Sequence, residues 1–273
     1  VNHPQKNRQL FNRSGAPILI AGPCVLESPE SAVELAQSIS ELPAAKNFRF
    51  VFKASYLKDN RSSGESFRGP GIEKGLDILQ RIRRSVGCPV LSDVHCRQEV
   101  QPAAEVLDAL QIPAFLCRQT RLLEAAAGCG KPVNVKKGQF LAPEDMQLVI
   151  NKLKRASCSD VAITERGSVF GYHDLVVDYR SLAKMMEFGC PVIFDVTHSL
   201  QKPASLGGRS GGDPGLARVM ARAAAAVPCG GLFIETHFNP EKALSDGASM
   251  LPFSELNGLL MEVYEIITLV KKM

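Results

Sequence analysis

An α/β barrel of eight parallel strands is the fold this sequence predicts, and three observations carry the prediction. Eight short apolar runs alternate with eight segments of helical apolar spacing. The runs are short enough to read as strands buried on both faces, the environment of a parallel sheet wrapped in helices. No G-x-G-x-x-G or phosphate-loop pattern follows the first run, so the usual mark of an open, doubly wound sheet is missing. A single (β/α)8 (TIM) barrel is commonly about 250 residues long, and the 273 residues here show no linker or break in composition. The expected division is a short N-terminal arm at 1–16 and one barrel domain at 17–273.

The elements follow in order. The polar segment 1–16 reads as an arm or lid. Ile18-Leu19-Ile20 is the first strand; Gly22-Pro23 stops it, and a helix opens at Ser28-Pro29-Glu30. Ala32, Val33, Leu35, Ala36 and Ile39 keep helical spacing up to Pro43. The second strand runs from Phe48 to Lys53, and a polar stretch, 58–64, leads to a helix with Ile72, Leu76, Ile78, Leu79 and Ile82 on one face. The pattern then repeats, with strands expected at 89–95, 109–114, 133–136, 160–166, 191–198 and 231–237. Their helices are expected at 98–108, 119–128, 143–156, 179–188, 216–227 and 254–271, with a Gly-rich loop at 206–215.

A formal net charge of +4 gives no bulk attraction for nucleic acid or a membrane surface. No run approaches the roughly 18 apolar residues of a membrane span, and no apolar h-region follows the basic start. The expectation is a soluble, cytoplasmic protein with no nucleic-acid or membrane partner. The eight cysteines, at 24, 88, 96, 117, 129, 158, 190 and 229, form no Cys-x-x-Cys pair, which argues against a zinc ribbon or a dithiol redox motif. Most should be reduced and packed as small hydrophobes.

In such a barrel the active site lies at the carboxyl ends of the strands. There the strands deliver Cys24, Lys53 with Lys58, Asp93 with His95, Gln111, Lys136, Arg166, Asp195 with His198, and Glu235 with His237. One such residue is commonly a solvated strand end; a polar group on nearly every strand is not explained that way. Lys53, Lys58, Lys136 and Arg166 are cations converging on one mouth. They repel one another, and desolvation depresses the lysine pKa values, unless anions occupy the site. A phosphate ester that also carries a carboxylate resolves both problems. Arg61, Ser62, Ser63 and Arg118 offer donors for a second phosphate. The plainer alternative is a scatter of surface cations.

The other polar groups are metal-ligand types. In a closed barrel the eighth strand pairs with the first and lies beside the seventh, so Cys24, Glu235 and His198 leave three adjacent strands. Asp246, in the loop after the eighth, is close enough to reach back. A Cys-His-carboxylate set suits Zn²⁺ or Fe²⁺, and Mn²⁺ with the carboxylates. Taken alone, Cys24 could equally be a nucleophile or a packed thiol, and His198 a hydrogen-bonded histidine without metal. His95 and His237 stand on strand ends too and remain open as ligands.

Ala21-Gly22-Pro23-Cys24-Val25-Leu26-Glu27-Ser28, Lys58-Asp59-Asn60-Arg61-Ser62-Ser63, Pro113-Ala114-Phe115-Leu116-Cys117-Arg118-Gln119-Thr120, Asn134-Val135-Lys136-Lys137-Gly138-Gln139 and Phe194-Asp195-Val196-Thr197-His198-Ser199 together resemble the 3-deoxy-D-manno-octulosonate 8-phosphate synthases. The resemblance runs from about residue 17 to the end. It implies a TIM-barrel homotetramer that condenses phosphoenolpyruvate with D-arabinose 5-phosphate and water and releases inorganic phosphate. The product serves the lipopolysaccharide inner core of Gram-negative bacteria, or a cell-wall pectin in plants. The family divides at the position of Cys24, which is asparagine in its metal-independent members. Cysteine therefore implies the metal-dependent class, with a divalent Zn, Fe or Mn ion on Cys24, His198, Glu235 and Asp246, and demotes His95 and His237.

The resemblance further implies that phosphoenolpyruvate meets Lys53, Lys58, Gln111, Ala114, Lys136 and Arg166. It implies that arabinose 5-phosphate meets Asn60, Arg61, Ser62, Phe115 and Arg118, with the Arg-Ser pair able to reach the sugar phosphate of a neighbouring subunit. Asp59 departs from the family's usual Lys-Ala-Asn-Arg-Ser-Ser, and a carboxylate there is expected to point away or to pair with a nearby cation. Lys53, Lys58 and Lys136 are expected to orient the two anions. Asp93, His95 and Asp195 are the candidates for proton transfer, and the loop 199–212 is expected to close over the substrates. The nearest rival is a phosphoenolpyruvate-dependent synthase acting on erythrose 4-phosphate, which shares the Gly-Pro-Cys start. It usually carries Lys-Pro-Arg-Thr-Ser where this chain has Asn60-Arg61-Ser62-Ser63. A metal-dependent aldol lyase would need no second cationic cluster, and a non-catalytic sugar-phosphate sensor would be expected to have lost a ligand or a cation.

Overall fold

The computed structural model describes residues 9–59, 67–206 and 209–273. Eight parallel strands close into a barrel: β1 Ile18–Gly22, β2 Arg49–Lys53, β3 Val90–Asp93, β4 Ala109–Ile112, β5 Val133–Lys136, β6 Val161–Glu165, β7 Val192–Asp195 and β8 Gly231–His237. They pair in sequence order, and β1 closes on β8 with Ile18 opposite Gly231 and Gly22 opposite Glu235. The seam requires glycine at its start. A Cβ at Gly231 would lie 2.1 Å from the carbonyl oxygen of Ile18.

Among the described residues, eight helices wrap the barrel: α1 Pro29–Glu41, α2 Ile72–Val86, α3 Arg97–Val106, α4 Thr120–Gly128, α5 Met146–Arg155, α6 Arg180–Met186, α7 Ala217–Ala225 and α8 Phe253–Val270. Local chemistry sets their ends. The Ser28 hydroxyl accepts the Ser31 N–H at 3.1 Å, and Pro29 follows at a position where no N–H is needed. Gly87 ends α2 in the left-handed region at φ +77°. Leu76, Leu79 and Ile82 of α2 are buried in the apolar layer between helices and sheet, as the helical spacing predicts.

A smaller apolar cluster gathers Ile18, Ile20, Val51, Leu91, Ala109, Ala162, Ile193 and Phe233, and Phe11 of the arm joins it, 3% exposed. The Asp160 carboxylate, just before β6, accepts the N–H groups of Leu10 and Phe11 at 2.6 and 2.9 Å. Arg49, at the start of β2, donates to the carbonyls of Leu10, Asn12 and Ala16. The described part of the arm therefore packs under the amino ends of the strands, not over the mouth as a lid would.

Four segments differ from the sequence reading. The seventh run does not stay extended to His198: Asp195 ends the strand, and Val196–Ser199 form one helical turn. The cause is local, because the Asp195 carboxylate accepts the His198 N–H at 2.9 Å as an N-cap. The Gly-rich region folds into an antiparallel hairpin, Gln201–Leu206 with Arg209–Gly212. A second small hairpin, Ser168–Val169 with Leu175–Val176, follows β6, and Leu251–Pro252 pairs with the end of β8. Among the described residues no helix is long and apolar enough to cross a membrane.

Candidate active site

The carboxyl ends of the strands open into a cavity of 1110 Å³. Lys53, Lys58, Asp93, His95, Gln111, Lys136, Arg166 and His198 border it from below. The hairpin after β7 lines one side with Gln201, Pro203 and Ser210, and the 238–252 loop contributes Ser245 and Asp246.

The four cations do meet here, but the protein itself resolves their repulsion. Nζ of Lys53 lies 3.1 Å from Oε1 of Glu235 and 3.6 Å from Oδ2 of Asp93. It also donates to Ser55 Oγ at 3.0 Å and to the Cys24 carbonyl at 3.3 Å. Lys58 Nζ stands 3.9 Å from Glu235 Oε1. Lys136 pairs with Asp195, and its Nζ sits 3.4 Å from the centroid of the Phe233 ring. Cations and carboxylates thus interleave across the floor, and substrate anions are not needed to hold the lysines together.

Burial alone would raise the Asp93, Asp195 and Glu235 carboxyls, yet their neighbours outweigh it and hold all three well below the usual range. Those neighbours are Lys53 and Lys58 at Asp93, His198 and Lys136 at Asp195, and His198 and Lys53 at Glu235. Burial lowers Lys136 below its ordinary value, with Asp195 pulling the other way.

Arg166 Nη2 donates to Gln201 Oε1 at 2.9 Å and to the His198 carbonyl at 3.3 Å, while its buried Nε has no partner among the described residues. Deeper in the barrel, Thr164, Asn134, Gln111 and Asp93 form a chain of hydrogen bonds of 2.7 to 2.8 Å from β6 to β3. Asn134 was not singled out in the sequence. Its place two residues before Lys136 put it on the same inward face, and that signal could have found it. Ser55, two residues after Lys53, carries the same mark; Glu99 and Gln201 carry none.

Of the expected metal ligands, Cys24, Glu235 and Asp246 come together, and His198 stands at the edge of that group. One ligand atom each from Cys24, Glu235 and Asp246 lies within 4.8 Å of the others. The Cys24 thiol donates to Asp246 Oδ2 at 3.0 Å and lies 2.9 Å from Ser245 Oγ. His198 Nε2 is 3.7 Å from Glu235 Oε2, a buried oxygen with no hydrogen-bond partner among the described residues. Asp195 Oδ2 holds the other ring nitrogen of His198, Nδ1, at 2.8 Å, which fixes the ring with Nε2 toward Glu235. Asp246 sits at φ +50°, in a region that Asp tolerates better than most residues.

Burial pushes the Cys24 thiol well up, with Asp246 and Glu235 adding to it. A nearby cation reverses that logic and favours the thiolate. The orphaned carboxylate oxygen, the oriented imidazole and the thiol among carboxylates fit a divalent metal.

His95 and His237 contribute no atom to that group. His95 Nδ1 lies 3.3 Å from Glu99 Oε2, which also accepts the Tyr56 hydroxyl at 2.8 Å. His237 is held by Asn239, with Nε2 3.7 Å from Glu27. Ala114 and Phe115 border the cavity, whereas Arg118 is exposed and outside its lining. Asn60, Arg61, Ser62 and Ser63 lie outside the described residues. Asp59 pairs with Arg68, so its carboxylate is matched by a cation.

The sequence model of the DAHP synthetase I family matches residues 4–272. A 2-dehydro-3-deoxyphosphooctonate aldolase of Azoarcus sp. (strain BH72) is 52% identical over 255 residues, 93% of this chain and 91% of the relative. The protein of the same name from Desulfatibacillum aliphaticivorans is 52% identical over 253 residues, covering 92% of this chain and 93% of its own. That from Synechococcus sp. is 51% identical over 253 residues, covering 92% and 89%. With this likeness along nearly its whole length, the chain belongs to the DAHP synthetase I family, on its 2-dehydro-3-deoxyphosphooctonate aldolase branch.

Proposed function

We propose that this chain condenses phosphoenolpyruvate with D-arabinose 5-phosphate and water, giving 3-deoxy-D-manno-octulosonate 8-phosphate and inorganic phosphate for lipopolysaccharide synthesis. The observation that carries the reading is one barrel mouth holding a buried cation set beside a Cys24-Glu235-Asp246 group, with His198 next to Glu235. The relatives' name supports it, since three carbons from phosphoenolpyruvate and five from arabinose 5-phosphate make an octonate. Erythrose 4-phosphate, the rival acceptor, would give a seven-carbon acid.

In this reading Lys53, Lys58, Lys136 and Arg166 hold the phosphate and carboxylate of phosphoenolpyruvate, with Gln111 and Ala114 against its body. Asn60, Arg61, Ser62, Phe115 and Arg118 take the sugar phosphate, the Arg-Ser pair reaching a neighbouring subunit of a homotetramer. Carbon 3 of the enol forms a bond to the aldehyde carbon, and the aldehyde oxygen takes up a proton. A water oxygen joins carbon 2, whose bond to the phosphate oxygen breaks, and phosphate leaves with that oxygen. Holding two highly charged reactants in one orientation supplies much of the acceleration.

Cys24, His198, Glu235 and Asp246 would hold a divalent Zn, Fe or Mn ion, which when bound supplies Lewis-acid polarisation of a carbonyl or water oxygen. Asp195, fully buried between Lys136 and His198, positions both of them. Asp93, held ionised by Lys53 and Lys58, is too weak a base to take a proton readily and instead holds Lys53 and Gln111 in place. His95, steadied by Glu99, borders the cavity where a proton is moved. The arm at 1–16, a catalytic barrel at 17–273 and a cytoplasmic location complete the reading.

Phosphate release from phosphoenolpyruvate should require arabinose 5-phosphate and yield a product of octulosonate 8-phosphate mass. Equal release with erythrose 4-phosphate rejects the assignment.

A further inference from the structure

Behind the cations, on the outer face of the same two strands, lies an ion pair that the condensation does not touch. Side chains alternate across a strand, so Lys136 and Arg166 reach the cavity while Lys137 and Glu165 turn toward the helices. Nζ of Lys137 is 3.4 Å from Oε1 of Glu165, the two residues are 1% and 2% exposed, and neither borders the cavity.

Both ends of the pair are bonded to the segments that follow the two strands. Glu165 Oε1 accepts the N–H groups of Arg166 and Gly167 at 2.9 and 2.7 Å, and Oε2 accepts the Ser181 hydroxyl of α6 at 2.7 Å. Gly167 stands at φ +90°, so this carboxylate closes the sharp turn directly after Arg166. Lys137 donates to the carbonyls of Gly138 and Leu141 at 3.4 and 3.2 Å and to Ser168 Oγ at 3.4 Å. Its own N–H continues the ladder to Thr164 at 2.8 Å, and Val169 N–H reaches the Gln139 carbonyl at 3.0 Å.

We propose that Lys137 and Glu165 are positioning residues for the phosphoenolpyruvate clamp. They cross-tie the segments after β5 and β6 and thereby fix the separation and aim of Lys136 and Arg166. Stability alone does not account for the pair, because a buried ion pair is often no more stabilising than apolar residues of the same volume. Its bonds go to the two loops that begin at the clamp residues, and Arg166 keeps one unpartnered buried donor, Nε, whose direction the tie sets. The inference rests on the proposed condensation.

The test uses full-length Lys137→Met and Glu165→Gln, steady-state kinetics in both substrates, calorimetric binding of phosphoenolpyruvate, and thermal melts. The expected result is a rise of tenfold or more in both the KM and the Kd for phosphoenolpyruvate, with the KM for arabinose 5-phosphate within twofold. Lys137→Arg and Glu165→Asp should recover at least part of the affinity. Variants that melt earlier yet bind phosphoenolpyruvate with unchanged Kd below their transition overturn the proposal. If either neutral variant fails to fold, Ser168→Ala/Ser181→Ala, which removes one bond from each end of the tie, decides it by the same split: a selective rise for phosphoenolpyruvate supports the tie, and unchanged binding overturns it. Wild-type protein that binds no phosphoenolpyruvate fails at an earlier point, by refuting the proposed function itself.

Discussion

Replacing Asp195 with asparagine removes one charge from the centre of the site and leaves the shape of the side chain. Asp195 is fully buried, pairs with Lys136, and lies 2.8 Å from His198 Nδ1 and 2.9 Å from His198 N. Asparagine keeps an oxygen for the helix cap but leaves Lys136 as a buried ammonium without its closest partner. Removing one member of a buried pair costs about 3–5 kcal/mol. At about 2–4 °C per kcal/mol for a chain of roughly this size, Asp195→Asn should melt roughly 6–20 °C lower. Lys136→Met strands Asp195 in the same way, while methionine still packs on the Phe233 ring.

Combining the two removes both charges. The double variant should therefore lose less than the two single losses added together, by as much as about 3 kcal/mol. The assay is calorimetric melting of the four proteins in one buffer. Losses that simply add refute the idea that an unpaired buried charge is what destabilises each single variant. In activity, Asp195→Asn should lose about 10–100-fold in kcat/KM if His198 ligates the proposed metal, as removal of the carboxylate that orients a metal-binding histidine does.

Elemental analysis should find about one divalent ion per chain in protein purified without chelator, and far less after Cys24→Asn; a variant that keeps metal-stimulated activity removes Cys24 from the ligand set. Chelation should abolish activity, and full activity without added metal after chelation would refute a working metal. Burial pushes the Cys88 and Cys190 thiols up to about 11. The folded chain thus keeps protons that the unfolded chain has lost, and stability falls as pH rises from about 9 to 11, by at most about 1.4 kcal/mol per unit for each thiol. Cys88→Ala/Cys190→Ala should flatten that fall, and parallel stability curves would contradict it. Phe11→Ala should cost about 3–5 kcal/mol while leaving both KM values unchanged; an altered KM would mean that the arm acts on the mouth.

The barrel was legible because its two periods, of strand and of helix, are repeated eight times with little interruption. β5 and β8 were read to the residue. The seventh run was overextended because Val192, Ile193, Phe194, Val196 and Thr197 all favour strands, whereas the turn is made by one Asp195 carboxylate meeting one N–H. Closure order alone brought Cys24, Glu235 and His198 to one place. The partnership of the lysines with Asp93, Asp195 and Glu235 was not legible. Lys53 of β2 meets Glu235 of β8, two strands away, and such a contact depends on barrel tilt rather than on spacing in the chain. Phe11 was missed because one aromatic residue in a polar stretch has no period.

That aromatic residue changes what kind of vessel the barrel is. With the arm seated beneath it, the interior is a cul-de-sac, and the route for solvent and both substrates runs through the carboxyl-terminal opening. Two polyanions entering by one door must displace the water there past the same rim on which Phe115, Gln201 and Asp246 stand.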